Sequence, residues 1–278
     1  MTVALPPVET RRGGALRDTW VIARRGLVHM RRQPEALADV TLQPVMFVLL
    51  FAYVFGGAIS VGGGDDGDYR EFLMGGIFSQ TIVFGAFGVA ISLATDKRNG
   101  AIDRFRSLPV ARGAVLGGHA VSHLVRALLP ITLMSLCGLI VGWRIHTSVG
   151  DAVRGYALML AFAFAVIWLG VLLGALLPSP EAVQGVGFVA IFPITFVAST
   201  FVPVETLPGP LRTFAQWNPV TTVAEALRDL FGNPGAASTG DAPWSLGHPV
   251  AYSLAWIVGI VVVCVPLAVA AYQRSTRD

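Results

Sequence analysis

Apolar residues gather into six long runs, 40–60, 72–94, 115–141, 153–177, 182–202 and 250–272, separated by more polar breaks. Each reaches the roughly 20 residues that a helix needs to cross the hydrocarbon core of a bilayer. The pattern predicts an all-α integral membrane protein with six transmembrane helices, a domain covering 40–278. Ahead of it, Leu16, Trp20, Ala23, Leu27 and Met30 recur at steps of three and four among Arg11, Arg12, Arg17, Arg24, Arg25, Arg31 and Arg32. That spacing makes 1–39 a leader carrying a basic amphipathic helix in the interface plane, ended near Pro34. The first apolar run starts too far from the N-terminus for an ordinary cleaved signal peptide.

The breaks differ in character. Residues 95–112 form a dense polar island in which Asp96, Lys97, Arg98, Asp103, Arg104, Arg106 and Arg112 alternate with Ile102, Phe105 and Leu108 at helical spacing. Gly100 begins or bends such a helix, and Pro109 ends it by excluding Leu108 from the helical region. The island reads either as a short amphipathic helix beside the membrane or as a solvated loop. Residues 203–249 are more than loop: Asn218 and Pro219 form a helix start, and Val220, Val223, Leu227 and Leu230 follow at helical spacing. Short, half-embedded re-entrant helices are expected there, followed by a Gly/Pro/Ser-rich loop. A Gly/Asp loop (61–68) and a tight turn (178–180) complete the connections.

With 54% hydrophobic and 13% charged residues, too much of the 278-residue chain is apolar for one soluble core. The net charge of +3 is modest, and Lys97 is the only lysine. Nothing in that balance suggests nucleic acid. Arginine and lysine are unevenly placed: fourteen fall in the leader, the island and the tail, and five (Arg70, Arg144, Arg154, Arg212, Arg228) in the opposite breaks. By the positive-inside rule, both termini and the island lie in the cytosol and 203–249 lies outside. Cys137 and Cys264 fall within apolar runs and read as buried thiols.

The residues exclude several chemistries. A phosphate-cradling loop needs Gly-Lys before Ser or Thr, whereas Lys97 stands between Asp96 and Arg98. His119 and His123 lack the helix-borne Glu of a zinc protease, and Asp65, Asp66 and Asp68 lack the spacing of a calcium loop. No catalytic or metal-binding group is expected. Polar and aromatic residues inside the runs point instead to transport. Gln184, Phe188, Phe192, Thr195 and Ser199 share one helical face in the fifth run, and Gln80, Thr81 and Phe84 form a patch in the second. Such faces suit a large amphipathic substrate, or pack helix on helix with polar glue. Arg126 is a charge within a span, which either lines a water-filled cavity or snorkels to the interface.

The six runs, the island ending RFRSLPVAR, and WNP followed by EALRDL resemble the permease subunits of type-two ABC exporters. More narrowly, QPVMFVLLFAYVFGGAI and DRFRSLP resemble the daunorubicin- and doxorubicin-resistance drug permeases. The resemblance implies a bacterial plasma-membrane permease that is not itself an enzyme. It implies a homodimer joined by two separate ABC ATPase chains, which bind ATP and Mg. It makes the island the coupling helix, with Asp96, Arg98, Gly100, Arg104, Phe105, Arg106, Leu108 and Pro109 facing the ATPase. It also implies a path lined by the first, second and fifth spans. Asp96 and Asn99 stand where many members carry paired glutamates. The expected activity is ATP-driven export of an amphipathic drug or secondary metabolite. Export of a lipid or polysaccharide precursor, or a membrane scaffold docking a cytosolic partner, are the alternatives.

Overall fold

The computed structural model describes Trp20, Arg24 and residues 34–55, 66–100, 112–233 and 243–275. The leader helix and most of the island, including Arg104, Phe105, Arg106, Leu108 and Pro109, lie outside the described residues. So do the greater part of the Gly/Asp loop and the Gly/Pro/Ser-rich loop.

Within those bounds the chain is helical. Helix α1 (Pro34–Leu50) starts at the proline expected to end the leader helix, and a five-residue π-helix, Phe51–Phe55, continues it. Helix α2 (Asp66–Arg98) is 33 residues long, roughly 50 Å at 1.5 Å per residue. It is followed by α3 (Arg112–Val141), α4 (Val149–Leu176) and α5 (Pro180–Phe196). The last stretch holds α6 (Gly209–Trp217), α7 (Pro219–Phe231), α8 (Trp244–Gly247) and α9 (Pro249–Ser275). Polar caps set several boundaries. Ser148 accepts from the amide of Asp151, Ser179 from Ala182, and Asn218 from Val220, each satisfying an amide that the first turn leaves unpaired. At the other end of α7, Gly232 takes the left-handed conformation (φ +73°) that closes a helix without a Cβ penalty.

Among the described residues, four helices are long and apolar enough to cross a membrane: Tyr69–Arg98, Leu116–Val141, Val149–Leu176 and Pro249–Ala271. They match the second, third, fourth and sixth runs and make this a multi-pass membrane protein. The first and fifth runs appear as shorter apolar helices, Leu42–Val54 and Pro180–Phe196. α2 and α4 have 61% of their spanning windows buried, against 33% for α3 and 17% for α9, so the first two form the centre of the bundle. They approach closely because Gly170 and Gly174 lie one turn apart on α4. A Cβ on either would stand 2.3 Å and 2.7 Å from the carbonyl oxygens of Ala86 and Ala90. Small residues spaced this way let backbones touch where no hydrophobic force drives helices together.

The helices alternate in direction. The N-terminal end of α2, the α3–α4 turn and the C-terminal end of α7 meet at one end, where Glu71 bonds His146, and Asn233 takes a hydrogen bond from the Trp143 indole. At the opposite end the last turn of α2 meets α3, α4 and α5: Asp96 faces His119, Lys97 donates to the Ala175 carbonyl, and Arg98 pairs with Glu181 at 2.7 Å.

Among the helix ends that differ from the expected ones, two bear on the expected site residues. α2 runs unbroken through Asp96, Lys97 and Arg98, so the island's first charges are the last turn of a spanning helix. Gly100 (φ +66°) follows that last turn. α5 stops at Phe196 instead of 202. Pro193 removes an amide from its last turn, Asn218 donates to the Ile194 carbonyl at 2.6 Å, and 197–202 turn back into the protein.

Candidate functional site

A cavity of about 390 Å³ opens between α1, α2, α3 and α4. Its walls are largely apolar, with Pro44, Phe47, Phe84, Phe87, Ile131 and Ile167 among them, and its polar groups are Gln43, Gln80, Thr81, His123 and Arg126. The second-run patch of Gln80, Thr81 and Phe84 thus lies in one cavity with Arg126. His123, one turn before Arg126 on α3, shares that wall, and its ring stacks on His119. Of the polar lining residues only Gln80 is fully buried, at 1% exposure.

The fifth-run stripe does not reach this cavity. Gln184, Phe188 and Phe192 point away from the bundle, and the two Phe rings stack outside it. The inward face of α5 is Val183, Gly187, Ile191 and Thr195. Thr195 is buried, but its hydroxyl donates back to the Ile191 carbonyl of its own helix. Ser199 lies beyond the helix, in the segment that folds inward. A four-residue periodicity identifies residues that share a face. It does not identify which face looks inward.

Ser199 belongs to a second polar site that the sequence pattern did not reveal. Arg228 of α7, counted above among the external charges, is wholly buried. Its guanidinium forms an ion pair with Glu225 and donates from Nε to the Phe72 carbonyl at 2.8 Å. It also donates to the Ser199 carbonyl at 2.7 Å and lies over the Phe72 ring. Ser199 Oγ donates to Glu225, and the Ser199 amide donates to Thr221. This network clamps α7 and 197–202 onto α2. Gly76 makes it possible, since a Cβ there would sit 2.1 Å from the Thr200 carbonyl oxygen. The available signal was the pair Glu225 and Arg228, three residues apart on α7 and one turn beyond Thr221.

The described part of the island carries no vacant charge cluster: Asp96 and Arg98 are engaged by His119 and Glu181.

Comparison with known proteins places this geometry in context. Residues 17–231 match the model of the ABC-2 type transporter family. A daunorubicin resistance ABC transporter permease, DrrB1 of Streptomyces coeruleorubidus, is 29% identical over 90% of this chain and 84% of its own. A probable doxorubicin resistance ABC transporter permease, DrrC of Mycobacterium tuberculosis, is 25% identical over 94% and 90%. A putative transport permease, ycf38 of Cyanophora paradoxa, is 24% identical over 78% and 75%.

Proposed function

This chain belongs to the ABC-2 type transporter family, and from that premise we propose that it is the membrane permease subunit of an ATP-driven exporter of amphipathic drugs or secondary metabolites. The observation that carries the reading is the family match across 17–231, which takes in the leader from residue 17, five of the six apolar runs and the α7 clamp. Drug-resistance permeases similar over nine-tenths of the chain favour that substrate class.

The finer reading has six spans, with α1 and α5 crossing alongside the four longer helices, and both termini in the cytosol of a bacterial cell. Two copies pair, and two separate ATPase chains supply ATP hydrolysis. Residues 95–112 dock on those chains through Phe105 and Leu108, with Arg104, Arg106 and Pro109 shaping the contact. Support for a mechanical route comes from α2. One continuous helix carries Gln80, Thr81 and Phe84 on the cavity wall and ends at Arg98, against the island. A displacement of the island therefore moves that wall as a rigid body. Swinging the permease from almost all inward to almost all outward needs a bias of roughly 5.5 kcal/mol, within reach of a closing protein interface, so no covalent step on the permease is required.

The test replaces Phe105 or Leu108 with Asp. Either variant should insert and fold in the membrane yet lose co-purification with the co-expressed ATPase. Undiminished binding in both variants overturns the docking assignment.

A further inference from the structure

The cavity between α1 and α4 holds one feature that packing alone does not explain. Gln80 lies on its wall at 1% exposure, and neither its amide oxygen nor its amide nitrogen has a hydrogen-bond partner among the described residues. Buried amides with both ends unmatched are rare, because each end has given up water for nothing. The surroundings are those of a small-molecule site. A volume of about 390 Å³ falls within the range of ligand pockets, and Phe47, Phe84 and Phe87 offer aromatic surface. Arg126 and His123 add polar groups from α3 to the lining. Gly85 and Gly88 also line the space, and a Cβ on either would meet nothing within 4 Å.

We propose that this cavity is a ligand site contained within a single permease chain. Its occupant is an aromatic amphipath that sets a hydrogen-bond acceptor beside a donor against the two ends of the Gln80 amide. The inference rests on the exporter reading for its role in transport but not for its existence. It locates recognition at α1, α2 and α3 rather than on the outward face of α5.

The experiment uses the full chain with its ATPase in lipid nanodiscs and the photoreactive aromatic acid 4-benzoylbenzoic acid. Adducts are mapped by peptide mass spectrometry. Labelling should concentrate on the segments around Phe47, Phe84 and Ala127. It should fall at least tenfold in Gln80→Leu, which keeps the buried volume, and in Gly88→Phe, which fills the space. Thermal melting of both variants reports whether they remain folded, and should one fail to fold, the other decides. Adducts spread over α5 and α9 with no response to the folded variant overturn the site. Co-purification of the unsubstituted chain with the ATPase is read in the same preparation. Its loss with the labelling pattern intact contradicts the exporter reading and leaves the ligand site standing.

Discussion

Arg228 shows how one side chain can hold an entire segment in place. Replacing it with Met strands the Glu225 carboxylate in a dry interior and releases the Ser199 and Phe72 carbonyls, and breaking a buried pair in this way costs about 3 to 5 kcal/mol. The variant should lose most of its thermal stability in detergent. The double change to Met at both Glu225 and Arg228 should recover part of that loss, because no uncompensated charge remains. Equal stability of the single variant and the parent contradicts the clamp. Charge counting places Arg228 among the external charges, since a sequence gives the sign of a residue but not whether its helix folds back into the bundle. Asn218 was legible because a cap is local: its side chain accepts from an amide two residues ahead. Gln80, Thr81 and Phe84 could be picked out as a polar-aromatic patch. That Arg126 shares their cavity depends on how α3 packs beside α2, which periodicity does not contain.

The elements were legible in kind and order, less so at their ends. Apolar length identified α2, α3, α4 and α9, because the membrane imposes it. The end of α5 was missed because Asn218, 24 residues away, captures the Ile194 carbonyl and so helps stop the helix. The direction of α5 follows from its contacts, and its two faces should respond differently to bulk. Gly187→Leu or Ile191→Trp should cripple folding, since a Cβ on Gly187 already stands 1.5 Å from the Phe87 ring. Val189→Trp should be tolerated by the folded chain, as Val189 is 79% exposed. Thermal stability of the purified variants checks both, and similar losses on the two faces contradict the assigned rotation. Likewise Gly170→Val should separate α2 from α4, with a Cβ that would stand 2.3 Å from the Ala86 carbonyl oxygen. Small changes far from that seam should not.

At the scale of the whole molecule, a centre of α2 and α4, the clamp of α7 and a rim of exposed apolar residues on α5 and α9 make a body built to meet lipid. Its orientation is open to direct test. A cysteine placed at Asp66 or Ser238 should react with an impermeant thiol reagent on intact cells, and one at Arg98 should react only after the membrane is opened. Labelling of Arg98 from outside contradicts the six-span topology. The central claim, that this chain works as the permease of an ABC exporter, is tested most directly by native mass spectrometry of the chain co-expressed with an ABC ATPase from the same genome. The account predicts a complex of two permeases and two ATPases that hydrolyses ATP and comes apart when Leu108 is changed to Asp. A permease recovered without any ATPase, or a complex indifferent to that substitution, would contradict it.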